Sequence, residues 1–185
     1  LERGVDAGSK NVSGGLIYAE ESAPYTIDGL FPDFREEATE RPVTENVIHN
    51  IAGDKVKSFD IGDLHHHDTA WADAVLRRKM DSWLAQQVHE RTRETGGGLL
   101  TEVHVTGLLR ERGEIVGVTT EELDPIKADI VVAADGVNSE LARDAGLMDW
   151  EEPEEWFQGV KAVVDMEPDL INDRFDVAPD HGAAH

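Results

Sequence analysis

The residues with the plainest chemical promise are Asp135-Gly136, set where the apolar run ADIVVAAD (128–135) breaks into the polar stretch GVNSELARDAG. A carboxylate at the tip of a buried strand can accept hydrogen bonds from ribose hydroxyls or meet a diphosphate through water, and a glycine beside it lets backbone approach a ligand closely. The plainer alternative is a strand-to-helix turn, where Asp-Gly is common. Glu2 offers related chemistry. LERG (1–4) reads as the end of a strand, and a Rossmann-type sheet carries an acidic residue at the tip of its second strand to hold ribose hydroxyls. The G-x-G-x-x-G loop that accompanies such a residue is not in the chain, and an isolated Glu is ordinarily a surface residue. A third stretch, GSKNVSGG (8–15), sets Gly8, Gly14 and Gly15 around Lys10, Asn11 and Ser13 as a glycine-rich loop.

Two further signals carry less weight. His65-His66-His67 cannot converge on one ion without other ligands, so they read as a solvated loop and no metal site is expected. Lys161 stands alone in an apolar stretch, where an edge or surface lysine is the usual occupant. With no Cys there is no disulfide, thiol nucleophile or cysteine-held iron–sulfur cluster in these residues.

The elements that must position these groups follow from periodicity. Leu76, Met80, Leu84 and Val88 recur every four residues and predict a helix over 74–95, closed by Gly96–Gly98. Strand-like runs follow: LLTEVHV, GLLRE, EIVGVTTEE and ADIVVAAD, with a turn at Arg112-Gly113. The first and last fit parallel members of a central sheet, and the two between them an antiparallel excursion. Asn138 or Ser139 is placed to cap a helix over 140–145 that ends at Gly146. Residues 20–72 are irregular and acidic, with two short strands at Val43–Ile51 and Lys55–Ile61 joined at Gly53-Asp54. WFQGVKAVVDM begins another strand. The division that results is 1–150 and 151–185, the second part being the start of a second domain.

Composition bounds the class. The 185 residues are 39% hydrophobic and 30% charged, enough for a globular core. Thirty-nine acidic against 17 basic residues give a net charge of −22. That excludes the positive footprint of a nucleic-acid binder and suits a solvated acidic surface of the kind salt-loving organisms use. A cation-binding surface is the alternative. No apolar run reaches the ~20 residues of a membrane span. The chain opens on LERG without an initiator Met and stops at DHGAAH without a capping signal, which reads as a piece lacking both termini.

Several stretches, in this order, resemble the FixC-like flavoproteins, which stand close to electron-transfer-flavoprotein:quinone oxidoreductase in the FAD group that also holds geranylgeranyl reductases. They are LERG with GSKNVSGGLIYAEE, VLRRKMDSWLAQQVHE, EIVGV with ADIVVAADGVNSELAR, GVKAVVDM and INDRFDVAPDHGAA. The Asp-Gly element is common to the wider group, whereas KNVSGGLIY and GVKAVVDM are narrower. Ala162 departs from the Glu of that branch, and KNVSGG lacks the Pro-Cys-Gly-Gly type of motif of the lipid reductases.

The resemblance implies an α/β fold: a partial Rossmann-like FAD-binding domain with an antiparallel β-meander and the start of a second, substrate-side β-sheet domain. It implies FAD as cofactor. Glu2, with Arg3 beside it, holds the adenosine ribose, and Val105 or Val103 meets adenine through its backbone. Arg77 lies near the flavin and its phosphates, although a plain salt-bridge arginine is the alternative. Asn11, Gly14 and Gly15 pass the isoalloxazine ring, and Asp135 and Gly136 face the cofactor. The implied activity passes electrons from an electron-transfer flavoprotein toward quinone or a ferredoxin-like iron–sulfur acceptor, in the cytoplasm or peripherally at the inner face of the cell membrane. The flavin carries the redox chemistry, so no nucleophile or general base is required of the protein. Two other readings stand beside it: an isoprenoid-lipid (geranylgeranyl) reductase on the same scaffold, and a non-catalytic remnant, too unstable alone to retain FAD.

Overall fold

The computed structural model describes residues 1–11, 13–18, 26–61, 70–149 and 158–185. In chain order these form β1 (Gly14–Tyr18), α1 (Ile27–Leu30), α2 (Phe34–Ala38), β2 (Pro42–Ala52), β3 (Lys55–Asp60), β4 (Ala72–Leu76) and α3 (Arg77–Thr92). There follow β5 (Val105–Glu111), β6 (Glu114–Thr120), β7 (Ile126–Lys127), α4 (Glu140–Asp144), α5 (Pro168–Phe175) and β8 (Gly182–Ala184). The composition is mixed α/β, as expected. Two compact units are interleaved along the chain: Leu1–Ser9 with Gln87–Val160, and Lys10–Gln86 with Lys161–His185. Residues 150–157, where the boundary between two serial domains is expected, lie outside the described residues, as do His65, His66 and His67.

The unit Lys10–Gln86 with Lys161–His185 is built on a five-stranded sheet in the order β1-β4-β2-β3, with β8 joined in parallel to β2 and every other pairing antiparallel. Strand period two sorts its side chains. Val75 and Ile17 face a cluster with Phe34, Ala38, Met80 and Trp83, whereas Ala72, Ala74 and Leu16 face a cluster with Val43 and Trp71. Phe34 is fully buried, and Trp83 meets both Phe31 and Phe34 edge-on at ring separations of 5.6 and 5.8 Å. Asp73 shares the Val75 face and is buried, with the Arg35 guanidinium of α2 at 3.5 Å. Burial pushes its carboxyl above the ordinary carboxylate range, while Arg35 works against that shift. The hairpin β2–β3 turns at Gly53-Asp54, as its sequence predicts. Arg41 ties the C-terminal stretch to this unit, donating to Asn172 Oδ1 at 2.7 Å and His181 O at 3.0 Å.

In the other unit, β5 and β6 pair antiparallel around Arg112-Gly113, both left-handed (φ 54° and 91°), which is the two-residue hairpin the pattern predicts. β7 lines the far side of β6. Gly117 makes that pairing possible: at φ 154° it lies so close to β7 that a Cβ would stand 2.0 Å from Ile126 O. The helix α4 rests on β5, with Asp144 Oδ2 accepting from Leu108 N at 3.2 Å and Arg110 donating to Asp144 O at 2.8 Å.

Several expectations are corrected. Residues 74–76 belong to β4 and the helix begins at Arg77, because Ala72–Leu76 pair with β1 and β2. Along that helix Met80 is buried, but Val88 is 49% exposed. The run 128–135 carries no strand and bends at Asp129. Ala128 N donates to Val116 O at 2.9 Å, and beyond it Ile130 and Val132 stand exposed. Residues 158–167 carry no strand either, and Val160 is exposed. In LLTEVHV only Val105 is in a strand. Leu100–Val103 instead bonds irregularly to the N-terminal residues, through Glu2 N to Leu100 O, Glu102 N to Gly4 O and Val103 N to Glu2 O. Glu102 is left-handed there (φ 57°), which breaks the regular ladder. A parallel pair made of 99–105 and 128–135 is therefore absent among the described residues.

Candidate functional site

The later part of the glycine-rich loop, from Lys10 on, and the head of α3 meet within one unit. Gly14 opens β1 opposite Leu76, the last residue of β4, and the next amide, Arg77 N, donates to Ser13 O at 2.9 Å. A Cβ on Gly14 would stand 2.9 Å from Val75 O, so the close packing of the two strands needs glycine. One turn into the helix, Asp81 gathers the side chains. Its Oδ1 accepts from Arg77 Nε at 2.8 Å, while its Oδ2 accepts from Arg77 Nη2 at 2.9 Å and from Asn11 Nδ2 at 2.6 Å. The Arg77 side chain is 45% exposed and that of Asp81 only 15%. Hydrogen bonding to Asp81 raises the guanidinium pKa, with partial burial opposing. Lys161 Nζ donates to Gly14 O at 3.3 Å, and Gly15 has open space where a Cβ would be. The result is a charged fork held from behind and offered to solvent, beside a glycine-opened backbone and a lysine. Such a surface suits a planar or phosphorylated anion.

The remaining predicted residues lie in the other unit. Glu2 is half-buried and turns its Oε1 back onto Gly4 N. Arg3 lines an open cleft of about 620 Å³ with Val5, Glu102, His104, Glu121 and Glu122. His104 bridges two of those acids, with Nδ1 at 3.0 Å from Glu121 Oε2 and its backbone N donating to Glu122 Oε2 at 2.7 Å. Val105 heads β5 opposite Thr120 beside that cleft, and Val103 is buried. Asp135 and Gly136 are exposed, with open space around Gly136. The Asp135 Oδ2 accepts from Leu141 N at 2.8 Å, so Asp135 caps α4. That corrects the expected cap: Ser139 is left-handed (φ 45°) and its hydroxyl donates to Gly136 O instead.

The relatives of the chain agree with the motifs. No family model matches the chain. Among curated proteins, the Escherichia coli K12 protein named "Probable electron transfer flavoprotein-quinone oxidoreductase YdiS" is 34% identical over 189 residues, covering 100% of this chain. Protein FixC of the same strain is 34% identical over 187 residues, and Protein FixC of Bradyrhizobium diazoefficiens is 33% identical over 190 residues.

The chain is similar throughout to FixC-like proteins.

The resemblance read from the motifs is thereby borne out. The chain spans 41% of the length of each of these relatives. The candidate residues read from sequence are divided by the structure into two sets: Asn11, Gly14, Gly15 and Arg77 in one unit, and Glu2, Arg3, Val105, Asp135 and Gly136 in the other. Sequence reading missed Asp81 as the group that joins Asn11 to Arg77, although the i,i+4 spacing of Arg77 and Asp81 was a visible sign. It also set Lys161 aside as a surface lysine, because nothing in its neighbours signals the Gly14 carbonyl. The acids around His104 come together only through the β5–β6 pairing. Among the described residues no cluster of three or more His, Asp or Glu side chains is arranged to hold a metal, and no helix is long and apolar enough to cross a membrane.

Proposed function

We propose that this chain is the FAD-binding part of an FAD-dependent oxidoreductase that takes electrons from an electron-transfer flavoprotein and passes them toward quinone. A ferredoxin-like iron–sulfur protein is the other acceptor class, and such a cluster would be held elsewhere, since these residues include no Cys. The observation that carries the reading is the similarity along 98–100% of the chain, at 33–34% identity, to FixC proteins and to the relative named as an electron transfer flavoprotein-quinone oxidoreductase.

The residues fit FAD. The exposed Arg77 guanidinium, whose Nη1 Asp81 does not engage, is chemically matched to a diphosphate oxygen, and the half-buried Glu2 carboxylate to a ribose. Gly15 and Gly136 leave backbone open to a flat ring or a phosphate chain. In this reading, within a Rossmann-like domain, Arg3 and the Val105 backbone serve the adenosine end, Asn11, Gly14 and Gly15 serve the ring, and Asp135 and Gly136 face the cofactor. Asp135 would do so with one oxygen already engaged by Leu141. Bound FAD supplies the electron-transfer chemistry, and the protein's share is to bind and orient it and to exclude competing reactions. The test is direct: the purified full-length protein is expected to show a flavin absorption band that reduced electron-transfer flavoprotein bleaches and quinone restores. A colourless protein that takes up no added FAD would overturn the reading.

A further inference from the structure

We infer that Asp81 is a positioning residue of the anion-binding fork, acting on the cofactor only through Arg77 and Asn11. The inference rests on the flavin reading above and goes beyond it by assigning a role to a residue that need not touch the cofactor. Three bonds converge on this one carboxylate, from two places that are far apart in sequence: Arg77 Nε and Nη2 at 2.8 and 2.9 Å, and Asn11 Nδ2 at 2.6 Å. A fourth bond, Arg77 N to Ser13 O at 2.9 Å, fastens the same loop to the same residue through backbone. Exposure runs in the order such a device needs. The carboxylate side chain is 15% exposed and sits behind, while the guanidinium it grips is 45% exposed in front.

An isolated surface arginine is a flexible stem that must be ordered when an anion binds. A guanidinium already gripped through Nε and Nη2 is ordered in advance, and Asp81 does not engage its Nη1. The cost is electrostatic, because a neighbouring carboxylate offsets the positive charge that draws the anion. These two effects predict opposite outcomes when Asp81 loses its charge. If ordering dominates, FAD binds more weakly; if neutralisation dominates, FAD binds more tightly. The bond from Asn11 decides for ordering, since a carboxylate that served only to balance Arg77 would have no reason to hold the glycine loop as well.

The experiment uses the full-length protein in its wild-type, Asp81→Asn and Asp81→Glu forms, stripped of flavin and titrated with FAD by fluorescence quenching. Hydrogen exchange is followed over residues 8–16. The expected result is a tenfold or greater rise in the FAD dissociation constant for D81N, faster exchange at Asn11–Gly15, and recovery to within about threefold of wild type in D81E, which restores the charge-assisted grip. Tighter FAD binding by D81N, or affinity and loop exchange both unchanged, overturns the inference. So does a D81N defect that D81E leaves unrelieved while both variants unfold at the wild-type denaturant concentration. A wild-type protein that binds no FAD overturns the flavin reading and, with it, the cofactor role of Asp81; loop exchange in the same samples then shows whether the grip itself exists.

Discussion

Two stretches of this chain begin almost alike and end in opposite environments. ADAVL (72–76) is β4, with Ala72, Asp73 and Val75 buried, and ADIVV (128–132) leaves Ile130 and Val132 exposed. Local propensity does not separate them, since the second has the richer β-branched content. Partners do. β4 lies between β1 and β2 and is covered by hydrophobic clusters on both faces. The run from Ala128 follows β7 at the edge of a three-stranded sheet, and no strand among the described residues pairs with it beyond Ala128. The lesson is that an apolar strand pattern states a demand for neighbours, and whether the demand is met is decided elsewhere in the chain.

The comparison is broken most strongly at the core. Phe34→Ala, behind β4, is expected to cost about 3–5 kcal/mol in urea unfolding, whereas Val132→Ala should stay within about 0.5 kcal/mol. Equal losses would mean that 128–132 is as well covered as 72–76. Next in size is Gly117→Ala, which forces a methyl into the Ile126 carbonyl and is expected to cost about 1–3 kcal/mol. Its signature is faster amide exchange at Ile126–Ala128, and unchanged exchange there would show that β7 is not seated on β6 as described.

Asp135→Ala removes the cap on α4 and should cost about 1 kcal/mol, read as faster exchange at Leu141. With FAD added, the same variant separates the two roles of the carboxylate. A loss of stability alone marks a cap, and a loss of FAD affinity beyond it marks a ligand as well. The smallest effect is a slope. The folded-state pKa of Asp73 is raised, so the native state holds its proton more firmly than the unfolded chain does. The associated stability is full below the ordinary aspartate value of roughly 4 and is lost as pH rises through the raised folded value. Asp73→Asn should flatten that part of the stability profile, and an identical profile in the variant would contradict the shift.

What was legible in the sequence was chiefly local. The β2–β3 and β5–β6 hairpins were readable because Gly53-Asp54 and Arg112-Gly113 punctuate alternating runs, and two-residue turns fix pairing over a few residues. The helix was readable from Met80 and Leu84, but its start was not. Leu76 fits the four-residue repeat and is nevertheless the last residue of a strand, because the hydrogen bonds that claim Ala72–Leu76 come from β1 and β2. Of the candidate site, the residue types at Glu2, Arg77 and the glycine loop were visible as chemistry. Their partners were not, since Asn11 and Asp81 are separated by seventy positions.

By itself, then, the sequence determined the net charge of −22, the turns, the helix-forming stretch and the family likeness, all of which are carried by residue type and short spacing. Only the tertiary structure decided that Asp81 joins Asn11 to Arg77, that Asp135 caps a helix, and that one of two similar apolar stretches is buried while the other is exposed. The reason is that burial and hydrogen-bond partnership belong to pairs of segments. A chain read one window at a time contains each half of such a pair and nothing that brings the halves together.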